Sequence, residues 1–266
     1  MVTDDLVMLT LRAGRSLLVS ASLVAAGALA LSAAPATSGA ALSGASTSSA
    51  TAHGLLGSAT PRPASLGTAS YSFASVVDSK PVRWNPCAPI RWTANTARGP
   101  AGGLDVLKAS VARIAATTGT TWQYVGPTTT VPTAAYLPRS STAAYPPVLL
   151  GWTDGTASDL LRGQPRSVLG VARTAWFGVV KPDGRKVVAT RAAVIALDRT
   201  DALPLRGGTS WSSVVLHELG HAMGLAHPAD TSQLMASVLP RTLTDLQSGD
   251  RAGLTRLGRT AGCIVL

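Results

Sequence analysis

Glutamate is almost absent from this 266-residue chain, since Glu218 is the only one. Histidine occurs four times, cysteine twice, methionine four times and phenylalanine twice. Each scarcity removes an option. No cysteine precedes Cys87, which excludes a lipoprotein signal. Arg12 and Arg15 are not adjacent, so a twin-arginine signal has no support. No segment carries the acidic spacing of a known calcium loop, although Asp154, Asp159, Asp183, Asp198 and Asp201 fall in or near expected loops. Acids number 13 against 23 basic side chains, which leaves a formal charge of +10. Such a charge suits anionic partners, for example acidic cell-wall material. The arginines are scattered without runs, so no nucleic-acid partner is expected, and most of the charge reads as a solvated basic surface.

What is present divides the chain into three stretches. Residues 1–36 read as a signal peptide. Arg12 and Arg15 supply its positive start, and Leu17–Leu31 its apolar segment. Small residues follow, around Ala34-Pro35-Ala36 and Ser38-Gly39-Ala40. Met8 is an alternative start that would remove Asp4 and Asp5. The apolar run is short and rich in alanine, so cleavage is expected rather than a membrane anchor. Residues 37–80 form a leader dominated by Ala, Ser, Thr, Gly and Pro, with too little apolar bulk to offset its ordering entropy. Residues 81–266 are long enough for one domain with a real core. Cys87 and Cys263 lie near the ends of that domain. In an exported protein an even pair points to a disulfide, worth about 4–5 kcal/mol in the chain-entropy picture.

Within the domain, Ile90–Ala94 reads as a strand and Leu104–Thr117 as a helix with apolar residues at Leu104, Leu107, Val111 and Ile114. Thr121–Val125 and Val148–Trp152 read as further strands. Leu169–Val180 and Lys186–Leu197 form two more, joined by the turn Lys181-Pro182-Asp183-Gly184-Arg185. The six tryptophans are dispersed and read as core or cleft walls.

Three of the four histidines and the sole glutamate then fall within eleven residues, in His217-Glu218-Leu219-Gly220-His221-Ala222-Met223-Gly224-Leu225-Ala226-His227. On a helix, His217 and His221 stand one turn apart on one face and can point at a common ion. Glu218 lies roughly 100° around, beside the ligand face. Ser210 or Ser212 can cap this helix, and Trp211, Val214, Val215, Leu216 and Leu219 give it an apolar body. His227 cannot continue the same face, so the chain must turn back, and Gly224 permits the positive φ of such a turn. Pro228 prevents helix continuation. Three neutral imidazoles leave one tetrahedral zinc position open, with Glu218 placed as general base.

This motif resembles that of the metzincin zinc endopeptidases, and most closely the matrixin branch. Leu234-Met235-Ala236, eight residues beyond His227, is similar to the Met-turn that underlies the metal in that clan. Leu243–Asp250 resembles the polar start of the last matrixin helix, with Thr244 as its N-cap. The resemblance is tight over about residues 210–258 and looser over 82–200. Two departures stand out. Ser237 occupies the place where some metzincins carry a tyrosine, and His53 alone remains for the second, histidine-rich zinc site of vertebrate matrixins. Many matrixins silence their zinc with a propeptide cysteine. Cys87, in Asn85-Pro86-Cys87-Ala88-Pro89, lacks matching flanks, and Cys263 offers it a partner.

The resemblance implies an α+β matrixin-like catalytic domain. It would hold a twisted mixed sheet of about five strands, an early helix, an active-site helix and a C-terminal helix. It implies zinc held by His217, His221 and His227, Glu218 as the catalytic base, and Met235 beneath. It also implies that Gly170, Val171 and Ala172 form an edge strand that pairs with extended polypeptide substrate. Calcium is often bound in the family but cannot be placed here. The expected protein is a secreted zinc endopeptidase, a monomer of bacterial type. The rival readings are a zinc hydrolase acting on a non-peptide or cell-wall substrate, and a non-catalytic zinc-binding module.

Overall fold

The structure is a computed structural model that describes residues 7–10, 70–141 and 145–265. Strand β1 spans Val7–Thr10, β2 Ser72–Phe73, β3 Val76–Val77, β4 Lys80–Pro81 and β5 Ile90–Asn95. Helix α1 spans Gly103–Thr118, followed by β6 Trp122–Pro127, β7 Val148–Thr153, β8 Val168–Val180 and β9 Lys186–Asp198. Helix α2 spans Trp211–Met223, β10 Leu225–Ala226 and α3 Ser248–Leu257. The main sheet has the order β1-β8-β9-β7-β5-β6. Its β6, β5, β7 and β9 run parallel to their neighbours, and β8 is antiparallel to β9. The five strands β5 to β9 and the three helices make the expected α+β domain, and Val7–Thr10 adds a sixth strand on the β8 edge.

The parallel centre explains the sequence of β7. All six residues of Val148–Thr153 are buried, as expected for a strand covered on both faces. Alternate side chains serve two cores. Val148, Leu150 and Trp152 join Ile195 and Leu197 in the core beneath the helices, while Leu149 joins Val194 and Ala196 in a second cluster with Leu137, Leu160 and Leu161. Trp152 meets Trp211 edge to face with ring centroids 5.7 Å apart, which ties the sheet to the first turn of α2. Helix α1 faces the same core through Val106, Leu107, Val111 and Ile114.

Asp154 closes the end of β7. Its carboxylate accepts from Arg98 and Arg199, both at 2.8 Å, and from Thr156. Thr156 and the Arg199 guanidinium hold it well below the usual carboxylate range. Asp183 is likewise paired, with Arg185 at 2.6 Å.

Residues 70–80, assigned above to the leader, are folded against this body. Tyr71 and Phe73 are core residues, and β2 pairs with β10. A two-residue strand has no periodicity to read, so the boundary set at residue 81 falls too late. The last helix also departs from expectation. It starts at Ser248, with Gln247 as N-cap, and Thr244 lies in the loop before it. Gln247 and Asp250 form a reciprocal cap, and Asp250 also holds the amides of Leu234 and Met235, which fixes the start of the helix there. The signal-peptide reading of residues 1–36 falls outside the described residues except at Val7–Thr10.

Cys87 and Cys263 are joined, with Cα atoms 5.4 Å apart across 176 residues of sequence. The link ties the segment before β5 to the tail after α3. Replacing both by serine should lower the stability of the fold by about 5 kcal/mol by the chain-entropy relation, read as a lower denaturation midpoint with an unchanged number of bound metal ions. Equal midpoints for both proteins would refute this.

Candidate active site

Helix α2 carries the site. Ser210 caps it in a reciprocal box with Ser213, whose Oγ accepts from the Ser210 amide at 3.0 Å. Twelve of its residues are buried, His217, Glu218 and His221 among them. The helix stops at Gly224, whose φ is +116° and whose amide donates to the His221 carbonyl at 2.9 Å. An L side chain is strained at that φ, and a Cβ there would lie 2.8 Å from the Val82 carbonyl oxygen. Leu225 and Ala226 then pair with Phe73 and Ser72. That short ladder fixes the direction in which the chain returns His227 toward the other two imidazoles.

The three rings converge. His217 Nε2 lies 2.9 Å from His221 Nε2 and 3.3 Å from His227 Nε2. Candidate ligand atoms of all three lie within 4.8 Å of one another. Tetrahedral zinc with Zn–N distances of about 2.0–2.1 Å places its nitrogens about 3.3–3.4 Å apart, so the spacing suits that ion. The outer nitrogens decide the tautomer. His217 Nδ1 donates to the Leu234 carbonyl at 2.7 Å, and His221 Nδ1 donates to the Leu225 carbonyl at 2.8 Å. With their protons committed there, both Nε2 atoms present bare lone pairs inward. Burial lowers His217 to about 3 and His227 to about 4, and pushes His221 well down. All three are therefore neutral near pH 7, the form that ligates a metal. Among the described residues this triad is the one cluster of three such donors, and no acidic grouping suited to calcium accompanies it.

Glu218 is fully buried beside the triad, and neither carboxylate oxygen has a hydrogen-bond partner. Burial raises its pKa well above the ordinary value; the backbone N–H of Ala172 lies toward the carboxylate and opposes this, without meeting it in hydrogen-bond geometry. Strand β8 approaches it closely: a Cβ on Gly170 would come within 2.9 Å of Glu218 Oε1. Gly170, Val171 and Ala172 thus run directly past the glutamate, and the absent side chain at 170 is what makes room.

Met235 lies under α2. A Cβ on Gly220 would meet its sulfur at 2.3 Å, so glycine between the two helical histidines is what admits this methionine. The turn holding Met235 hangs on a residue that sequence reasoning missed. Asp250, fully buried at the start of α3, accepts from the amides of Leu234 at 2.8 Å, Met235 at 3.2 Å and Gln247 at 2.7 Å. Gln233 completes the clamp by accepting from the Gly249 amide at 2.9 Å. The available signal was an acid in the first turn of the last helix, hidden because that helix was capped three residues early, at Thr244 rather than Gln247.

The chain matches the family model described as Matrixin over residues 117–258. It belongs to the matrixin family, within the metzincin zinc peptidases. No match was found among curated proteins. Matrixins are zinc metallopeptidases, so polypeptides are the substrate class that the family defines. Among the described residues no helix is long and apolar enough to cross a membrane.

Proposed function

We propose that the protein is a secreted zinc endopeptidase in which His217, His221 and His227 hold the metal and Glu218 is the general base. The observation that carries this reading is the convergence of three imidazole nitrogens, two of them with tautomers set by carbonyls, beside an unpartnered buried carboxylate. Zinc held by His217, His221 and His227 would supply Lewis acidity toward the scissile carbonyl and the attacking water. Glu218 accepts the proton of that water and passes it to the leaving amine. Burial raises its pKa, a direction that favours holding the proton between the two halves of the transfer. Met235 supports the floor, and one catalytic zinc accounts for the whole donor set. The disulfide favours an oxidising compartment, which agrees with export through residues 1–36.

Substrate is proposed to lie on the β8 edge at Gly170, Val171 and Ala172, where backbone pairing supplies affinity and side-chain pockets supply selectivity. Val7–Thr10 pairs there antiparallel, with Val7 opposite Ala172 and Met8 opposite Val171, so the edge is compatible with strand addition. A substrate strand and Val7–Thr10 would compete for it. The chain lacking residues 1–36 should therefore show a lower KM for peptides than the full chain, with similar kcat. Identical KM values would refute the competition.

Digestion of a complex peptide mixture, with cuts mapped by mass spectrometry and Glu218→Ala as control, tests the activity itself. Cuts made by the wild type alone support the endopeptidase. No cuts by either protein, with zinc bound in both, would overturn it in favour of a non-peptide hydrolase or a binding module.

A further inference from the structure

A second concave site lies at the far end of the β8–β9 hairpin. The strand β8 runs from Gly170, beside Glu218, to Val180, ten residues on and about 33 Å away at the rise of an extended strand. Beyond it, a cavity of about 590 Å³ is lined by Lys80, Arg83, Lys181, Arg185, Lys186 and Arg256. No Asp or Glu is among its lining residues. Two acids lie near its rim, and both are already engaged: Asp183 with Arg185, and Asp78 with the Lys186 amide at 3.1 Å.

The charge of this cavity is not balanced from within. Arg83 is half-buried, and its guanidinium donates only to carbonyls, those of Ala261 at 2.9 Å and Gly262 at 2.8 Å and of Trp84 at 3.4 Å. Arg256 stands over the Tyr71 ring, 5.9 Å from its centroid. Three chain segments deliver these cations to one place, the β3–β4 hairpin with the residues just after it, the β8–β9 turn and α3, and the disulfide-bonded tail closes the wall with uncharged residues. Like charges held together are unfavourable until an anion joins them. Between the cations the walls are apolar, formed by Val77, Val187, Val188, Ile264 and Val265.

We propose that this cavity binds an acidic segment of polypeptide, one that alternates carboxylate and aliphatic side chains, as a docking site for protein substrates outside the catalytic cleft. The apolar walls select this occupant over a phosphodiester polymer, which has no aliphatic side chains to bury. The inference rests on the endopeptidase reading for its purpose but not for its chemistry. Docking would raise the local concentration of the attached scissile segment and would act on KM rather than on kcat.

Binding of a fluorescent peptide of alternating glutamate and leucine, followed by anisotropy at low salt, reads the site without any catalysis. A peptide with glutamine in place of glutamate and inorganic polyphosphate serve as the other probes. The acidic peptide should bind, the glutamine peptide should not, and rising salt should weaken the complex. The triple variant Lys80→Gln/Lys181→Gln/Lys186→Gln should bind about tenfold more weakly, since each rim charge contributes modestly. The same variant should retain its zinc and its turnover of a short uncharged peptide. Equal binding by variant and wild type, or no binding by the wild type, would overturn the proposal. Tight binding of polyphosphate without the acidic peptide would overturn the choice of occupant. A protein that binds the acidic peptide but cuts nothing would fail the endopeptidase reading alone.

Discussion

Glu218→Ala is expected to lower kcat for peptide cleavage by roughly 10²–10⁴-fold while one zinc remains bound. The separation follows from geometry. Glu218 is not one of the three converging donors, so its removal leaves the imidazole nitrogens and their carbonyl partners in place. Nor is the fold expected to suffer. The carboxylate is buried without a hydrogen-bond partner, and burial already disfavours its charged form. Removing such a group relieves a desolvation cost, which offsets the small cavity it leaves. Glu218→Gln keeps the shape but cannot take a proton, so it should lose as much activity as the alanine variant. Kinetics on a single peptide, with zinc content and melting temperature measured on the same samples, check all of this. Activity within tenfold of wild type in either variant would remove Glu218 from the proton transfer.

Gly170 sharpens that expectation. The strand passes so close to Glu218 that any Cβ must displace it. Gly170→Ala should then act like a mild form of the glutamate substitution, moving the carboxylate rather than deleting it. This is a contact between elements 48 positions apart in the chain, and no local pattern announces it.

The difference between local and long-range information explains what was legible. His217, His221 and Glu218 follow from helical spacing alone, and Gly224 and His227 follow from the need to turn back. Both are local geometry. The strands β7 and β9 were legible because a buried strand leaves an apolar run bounded by turn residues. The two-residue β2 leaves no run, yet its pairing with β10 steers His227. Its importance lies in hydrogen bonds to a partner some 150 residues away, which a linear reading does not supply. The parallel pairing of β5 with both β6 and β7 is equally silent in the sequence, since register across a crossover is set by packing. The cation-lined cavity belongs to the same category. Its six basic side chains are scattered between residues 80 and 256 and read individually as solvated surface.

Asp250→Ala is the second substitution with a large expected effect, and it reaches the metal through the backbone. The carboxylate holds three amides, and two of them belong to the turn that carries Met235. Without it the Leu234 and Met235 amides are buried and unpaired, at about 1–3 kcal/mol each, so a loss on the order of 2–5 kcal/mol in stability is expected. The consequence extends beyond stability. The Leu234 amide receives its anchor from Asp250, and the Leu234 carbonyl accepts the proton of His217 Nδ1. The same residue thus transmits the position of α3 to a proposed zinc ligand. Loosening it should weaken zinc binding about 10–100-fold, as loss of a partner behind a metal-bound histidine does. Asp250→Asn tests the argument more finely. The amide oxygen can still accept, but its nitrogen cannot take the place of the second carboxylate oxygen opposite Met235 or Leu234. It should therefore fall between wild type and alanine in both melting temperature and zinc affinity. Competition with a chelator, run beside thermal unfolding, measures the two effects separately. A variant that melts early yet holds zinc as tightly as wild type would confine Asp250 to the fold and break the link to His217.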